Sequence, residues 1–170
     1  MHNGYRNGNG ALHDPAREPG LRALIELEQF LQEDGWHPQR LENKQILRSY
    51  FVGKNGEYRC YAQVRVDLQQ FLFYVVAPFR VPPELFAGAT EFITRANYGL
   101  RIGNFEMDFN DGEVRYKSSL DFEGQRLTEG WLRNAIYPAV QTMDLYLPGL
   151  MGVVYGGRSP ADAVNEIEQI

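Results

Sequence analysis

Apolar residues recur every three or four positions at two places in the first 100 residues, which is the spacing of a helix with one buried face. Leu21–Glu33 is predicted to form the first helix, and Gly35 suits its C-terminal end. The second helix is predicted over Pro83–Asn97, with Gly99 after it. Proline is tolerated at an early helical position, and glycine readily ends a helix.

The last third of the chain is also predicted to be helical. Thr128 is a suitable N-cap for a long amphipathic helix, in which Pro138 removes one backbone donor and is expected to cause a kink. Pro148 is expected to begin a separate helical piece that stops at Gly156. Ser159, which proline follows, is the expected N-cap of a short final helix.

Strand patterns fill the region between the first two helices. Gln45–Val52 and Tyr58–Asp67 flank Asn55-Gly56, a dipeptide typical of two-residue hairpin turns. A third strand, Gln70–Ala77, is apolar on both faces and is therefore expected to be central or covered on both sides. The predicted opposite pairs are Lys54 with Glu57, Phe51 with Cys60, Ser49 with Ala62, Leu47 with Val64, Val66 with Phe71, Val64 with Phe73, and Ala62 with Val75.

A second hairpin is predicted over Arg101–Phe122, with its turn at Asp111-Gly112. This register separates apolar pairs from opposite-charge pairs on the two faces, and a slip of one residue would destroy both sets. The predicted pairs are Phe109 with Val114, Asp108 with Arg115, Met107 with Tyr116, and Glu106 with Lys117. The order α-βββ-α-ββ-α-α, with every strand pair local, predicts an α+β domain with Phe51, Phe73, Phe105 and Phe109 in its core.

Composition limits the classes of function. A chain of 170 residues suits one domain, here residues 19–170, after a Gly- and Asn-rich flexible tail at 1–18. The net charge of -5 argues against nucleic acid, and the longest apolar run, Phe71–Ala77, is too short to span a membrane. Because Cys60 is the single cysteine, a reducing cytoplasm is expected. His2 and His13 are not expected to bind a metal.

Sequence signatures of catalysis are missing. The chain has no phosphate-binding glycine loop, no GxGxxG after a strand, no HExxH and no paired CxxC. The predicted register points Cys60 into the core, and the acidic residues of the second hairpin fit a solvated strand face. We therefore predict no catalytic residue, no cofactor and no metal site, and expect that the protein is not an enzyme.

The other face of the first three strands is rich in tyrosine and arginine. Such a face is compatible with a solvated sheet, since both residues fit strands, but we favour a protein contact, where tyrosine and arginine concentrate. The candidate contact residues are Arg48, Tyr50, Arg59, Tyr61, Gln63, Arg65 and Tyr74.

Two segments resemble the YbjN family of bacterial proteins, labelled as sensory transduction regulators. They are NYGLRIGNFEMDFNDGEVRYK at 97–117 and VYGGRSPADA at 154–163, and the resemblance covers about residues 20–168. It implies a fold like that of type III secretion chaperones, with a curved antiparallel sheet and helices packed on one face. It implies no catalytic residue and no cofactor, and it suggests a binding or regulatory module that forms a homodimer.

These observations lead to two functional hypotheses. The first is a non-enzymatic cytoplasmic protein-binding module, regulatory or chaperone-like, that uses its sheet face or helix edges. The alternative is a small-ligand sensor with a pocket between the final helix and the sheet, near Trp131, Tyr137 and Tyr146. An enclosed pocket would favour the sensor, whereas an open apolar or aromatic patch would favour the protein-binding module.

Overall fold

The computed structural model describes residues 5–6, 12–13, 18–42 and 44–169. The helices are α1 (Glu18–Glu33), α2 (Phe86–Gly99), α3 (Glu129–Gly156) and α4 (Pro160–Glu168). The strands are β1 (Tyr5–Arg6), β2 (Leu12–His13), β3 (Gln39–Arg40), β4 (Ile46–Val52), β5 (Glu57–Arg65), β6 (Gln70–Arg80), β7 (Asn104–Met107) and β8 (Glu113–Asp121). Strands β1 and β2 pair antiparallel with each other. Most of the predicted tail, His2 included, lies outside the described residues.

The other six strands form one antiparallel sheet in the order β3-β4-β5-β6-β8-β7. As predicted, β6 is internal, because it lies between β5 and β8. The expectation that every strand pair is local is wrong, since β8 returns across α2 to pair with β6. A strand between two neighbours has the backbone N–H and C=O groups of both its edges paired, and β8 supplies the second neighbour of β6.

The core lies between one face of this sheet and the helices. The inner face carries Tyr58, Phe71, Phe73 and Tyr116, each almost fully buried, and α3 packs against β6 and β8. The predicted core positions Phe73 and Phe105 are confirmed, and Phe51 is half-buried against the core.

One residue that the sequence predicts in the core lies at the surface. Phe109 is 63% exposed, because it belongs to the turn after β7 and packs edge-to-face against Phe86. The core prediction for Phe109 is therefore wrong.

All three predicted strand registers are displaced by two residues. Phe51 lies opposite Tyr58, Val64 opposite Phe71, and Glu106 opposite Arg115, because each turn is centred one residue earlier than expected. A shift by two preserves the alternation of faces, so the residues of these strands keep their predicted sides. Other predicted pairs are corrected to Val52 with Glu57 (predicted as Lys54 with Glu57), Ser49 with Cys60, Leu47 with Ala62, Ala62 with Phe73, and Met107 with Val114.

The predicted helix caps are confirmed, but one predicted break is wrong. The Thr128 hydroxyl accepts the Trp131 N–H at 3.4 Å, and the Ser159 hydroxyl accepts the Asp162 N–H at 3.1 Å. Helix α3 continues through Pro138 and Pro148. Each proline costs one backbone hydrogen bond, but the helix buries an apolar face over nearly its whole length, and that burial favours continuity.

Candidate protein-contact face

The candidate contact residues lie together on the face of the sheet opposite the core, which we call the outer face. Cross-strand pairing places Arg48, Tyr61 and Tyr74 in one row, and Tyr50 and Arg59 in the next. In the same alternation, β5 adds Gln63 and Arg65 to this side. Helices of the described chain pack on the inner face, so these side chains are half-buried or exposed.

A shallow depression of about 370 Å³ lies in the middle of the outer face. Tyr61, Gln63 and Tyr74, all predicted contact residues, line it together with residues of β4, β6 and β8. Val76 forms part of its floor and is 4% exposed. The depression therefore combines aromatic, aliphatic and charged groups, as protein contact sites do.

The β8 side of the outer face is electrically neutralised. Arg115 donates to Glu106 at 2.8 Å and lies 4.4 Å over the ring of Tyr74, and Lys117 also binds Glu106. Burial of the Glu106 carboxyl opposes its ionisation, but the hydrogen bonds from Lys117 and Arg115 prevail and lower its pKa. The pairing of Arg115 with Asp108 is thus corrected to Glu106, while Lys117 with Glu106 persists as a diagonal contact.

The β4 and β5 side of the outer face carries arginines without such neutralisation. Within the described ranges, no carboxylate lies within ion-pair distance of Arg48, Arg59 or Arg65. Arg48 donates instead to the amide oxygen of Gln39 at 2.7 Å, and its guanidinium lies 6.0 Å from the Tyr50 ring centre. This side of the face is therefore locally basic, although the whole chain has a net charge of -5.

The residues proposed for a ligand pocket do not meet at one place. They span 15 positions of α3, about 22 Å along the helix axis. Trp131 is 39% exposed, the Tyr137 hydroxyl donates to Asp34 beyond the end of α1, and the buried Tyr146 donates to Glu168 at 3.1 Å. Burial and the Glu168 contact raise the pKa of Tyr146 to about 12. These tyrosines act as packing and anchoring groups.

Sequence reasoning did not single out Asp144, which organises the turn next to the outer face. Its carboxylate accepts the N–H groups of Lys54 at 3.0 Å and Asn55 at 2.9 Å, and the buried Tyr58 hydroxyl at 2.7 Å. Helix α3 thereby holds the β4–β5 turn, which is centred on Lys54-Asn55 rather than Asn55-Gly56. One feature of the sequence distinguishes Asp144, because it is the single charged residue between 134 and 157.

The described residues show few features of reactive chemistry. Cys60 is fully buried, and burial raises the pKa of its thiol to about 12, so the side chain stays protonated at neutral pH. In the part of the chain that the structure describes, no three His, Cys, Asp or Glu side chains group as a metal site. No helix in this part is both long and apolar enough to cross a bilayer.

Solved structures with the same fold support the architecture. YbjN from E. coli superposes with a TM-score of 0.55 at 14% identity, over 79% of this chain and 89% of that one. A chain of the ExsC-ExsE complex superposes with a TM-score of 0.52 at 10% identity, over 76% and 93% of the two chains. These likenesses confirm the expected α+β fold, in which one antiparallel sheet packs against helices.

Family membership follows from the sequence match. No curated protein matches the chain. Residues 24–151 match the model of the YbjN family, which carries the description "Putative bacterial sensory transduction regulator". The resemblance in the 97–117 hairpin lies within this range. Because the match extends over well over half of the sequence, the chain belongs to the YbjN family.

Proposed function

We propose that this protein is a non-enzymatic binding module of the bacterial cytoplasm, regulatory or chaperone-like, whose outer sheet face contacts another protein. The observation that carries this proposal is a set of three arginines that have no carboxylate partner among the described residues and lie beside exposed or half-buried tyrosines: Arg48, Arg59 and Arg65. A cytoplasmic site agrees with the single reduced cysteine, Cys60.

The physical argument concerns surface area and hydrogen-bonding capacity. Tyrosine and arginine offer large, fairly rigid contact areas with directed donors, and they dominate the energetics of many protein interfaces. On the outer face they flank a depression whose floor includes Val76, so a partner gains apolar burial and polar contacts at once. The ExsC-ExsE structure, a complex of two proteins, further supports a binding role for this fold.

A double variant tests the outer face directly. Arg59→Glu combined with Tyr61→Ala removes one aromatic contact and reverses one charge, and we expect at least a tenfold loss of partner recovery. The measurement is affinity capture from native lysate with quantitative mass spectrometry. The matched control is Tyr98→Ala combined with Arg101→Glu, which makes the same changes at exposed positions beside the end of α2. Equal recovery by both variants would contradict the proposal.

We also propose that the expected homodimer forms through α3. The exposed side of its C-terminal half carries Leu145, Pro148, Met151 and Tyr155, and the single charged residue of this stretch, Asp144, faces the β4–β5 turn. Two copies of a chain with a net charge of -5 repel least where they meet on an uncharged surface.

Sedimentation velocity tests this dimer. Leu145→Lys with Met151→Lys is expected to convert the dimer into monomer, because the interface then contains four buried like charges. The control is Trp131→Lys, near the start of the same helix and outside the uncharged stretch. A wild-type monomer at 100 micromolar, or a dimer that persists in the double variant, would refute this interface.

A further inference from the structure

The two edges of the six-stranded sheet differ in how their backbone groups are satisfied. At the β7 edge, the Phe105 N–H donates to the Asn97 side-chain oxygen at 2.7 Å, and the Phe105 carbonyl accepts from the Asn97 amide at 3.1 Å. A side chain of α2 thus takes the place of a neighbouring strand. At the opposite edge, β3 has two residues and pairs only with Leu47 and Arg48 of β4.

The hydrogen-bond pattern between β4 and β5 shows which backbone N–H and C=O groups of β4 are left for a further strand. The Gly53 N–H donates to the Gly56 carbonyl at 2.8 Å, and by alternation in an antiparallel pair the N–H and C=O groups of Tyr50 and Val52 point away from β5. Among the described residues, nothing bonds to these four backbone groups. Tyr50 is 56% exposed and Val52 is 71% exposed, so this part of the edge is accessible.

Strand β3 cannot extend to cover this part of β4. His37, which the β3–β4 register would place opposite Tyr50, has a left-handed backbone with φ of 48° and so interrupts the extended chain. The chain turns instead to the inner face, where the Trp36 ring stacks on Phe51 at 5.6 Å. A polypeptide that aligns beside Tyr50 must therefore come from elsewhere.

We propose that an acidic, extended segment of a partner protein adds as an antiparallel strand to β4 beside Tyr50 and Val52. This inference rests on the proposed function, because the added strand borders the same outer face. Residues placed opposite Tyr50 and Val52 direct their side chains to the outer face. The charged groups nearest to them there include Arg48 and Arg59, for which the described part of the chain supplies no carboxylate partner, and one acidic residue, Glu57, opposite Val52.

Charge favours an acidic peptide strand beside β4 over two alternatives, a second copy of this chain and a nucleic acid. If β4 paired with β4 of a second copy, Arg48 and Arg59 of both chains would be brought together, and facing like charges destabilise a sheet. The alternating donors and acceptors of the edge match a polypeptide backbone, whereas a nucleic acid would offer phosphates to a chain whose net charge is -5. An acidic strand satisfies both the backbone groups and the arginines.

Peptide selection tests the chemistry of the partner. A library of random ten-residue peptides is selected on the full chain, and the best peptide is synthesised with a fluorescent label for anisotropy. We expect enrichment of Asp and Glu over Lys and Arg, and at least a tenfold loss of affinity when alternate peptide nitrogens are methylated. The proposal would be overturned if no peptide were enriched, if the enriched peptides showed no acidic bias, or if the methylated peptide bound equally well. Tighter binding of an oligouridylate of ten nucleotides would also overturn it.

Variants of the chain test the location. Val52→Pro removes an N–H that the described fold does not use, and edge strands tolerate proline, so we expect the protein to fold and to bind the peptide at least tenfold more weakly. Val52→Thr keeps the N–H and is expected to bind like wild type. Arg48→Glu with Arg59→Glu is expected to weaken binding at least tenfold, and the control Arg101→Glu is not. Equal binding by Val52→Pro and wild type overturns strand addition.

These variants distinguish a failure of strand addition to β4 from a failure of the proposed contact through the outer face. Peptides that lose binding with Arg59→Glu and Tyr61→Ala, but tolerate Val52→Pro and backbone methylation, would leave the outer face as a contact surface and remove the added strand. Peptides that are insensitive to all of these variants would remove both proposals. Thermal unfolding midpoints measured for every variant confirm that each compared protein is folded.

Discussion

Replacement of Asp144 by alanine is expected to lower the free energy of unfolding by about 3 kcal/mol, a large effect for a single polar side chain. The substitution removes the acceptor of two backbone N–H groups in the β4–β5 turn. It also leaves the hydroxyl of Tyr58, a fully buried residue, without its acceptor, and an unsatisfied buried donor pays its whole desolvation cost.

The pH dependence of stability gives an independent signature of Asp144. Burial of its carboxyl raises the pKa, but the hydrogen bonds from Asn55, Tyr58 and Lys54 outweigh burial and leave the pKa below its ordinary value. A group whose pKa is lower in the folded state stabilises the protein above its unfolded pKa of about 3.9, and this stabilisation disappears as the pH falls through the folded pKa. The Asp144→Ala variant is therefore expected to lose less stability than wild type between pH 5 and pH 2.

Urea unfolding at several pH values measures both effects. The control is Glu91→Ala, which removes a carboxylate from the exposed pair with Arg95 on α2 and is expected to change stability by less than about 0.5 kcal/mol. Tyr58→Phe should cost about 1 kcal/mol, because it removes only one of the hydrogen bonds to Asp144. If Asp144→Ala unfolds like the Glu91 control, the carboxylate does not hold the turn.

Replacement of Gly112 by alanine is expected to lower the free energy of unfolding by about 3 kcal/mol or more, for two reasons. Gly112 has a φ of 73°, which side-chain-bearing residues rarely adopt, and an added Cβ would lie 2.1 Å from the Val81 carbonyl oxygen. The two backbones are close because the Val81 N–H donates to the Gly112 carbonyl at 2.9 Å. The clash therefore involves main-chain atoms, which cannot rotate away.

Gly124 provides the matched control for Gly112. Its φ of 71° is nearly the same, but an added Cβ would meet nothing within 4 Å. Gly124→Ala should therefore cost only the backbone strain, about 1–2 kcal/mol. The difference between the two variants in guanidinium unfolding isolates the contact with Val81, and equal losses would show that the β7–β8 hairpin moves away without cost.

The strand faces could be predicted from sequence better than the strand registers. Side-chain alternation along β4 and β5 separates Leu47 and Cys60 from Arg48 and Tyr61, and a shift by two residues leaves that separation intact. Local turn preference alone predicts the first turn at Asn55-Gly56. The structure places it one residue earlier, where Asp144, some 90 positions away in sequence, accepts the two exposed N–H groups.

For the candidate contact face too, local alternation predicts which residues share the face, but contacts distant in sequence determine its charge. Alternation alone predicts Tyr61, Gln63 and Tyr74 on one face, and the structure brings all three to one depression. The charges of that face differ between its two sides, because Arg115 and Lys117 both reach Glu106, while Arg59 meets no carboxylate within the described ranges. The β7–β8 hairpin that contains Glu106 is local, but only the pairing of β6 with β8, which local sequence patterns do not specify, brings it onto the same face as Arg59.

The sequence by itself determined the element types, the helix caps at Thr128 and Ser159 and the buried side of each strand, because these depend on spacing and local hydrogen bonds over a few residues. Only the tertiary structure decided the register, the continuity of α3 through Pro148 and the open edge beside Tyr50. Each of these depends on groups distant in sequence, whose burial and hydrogen bonds outweigh local preferences of about 1 kcal/mol.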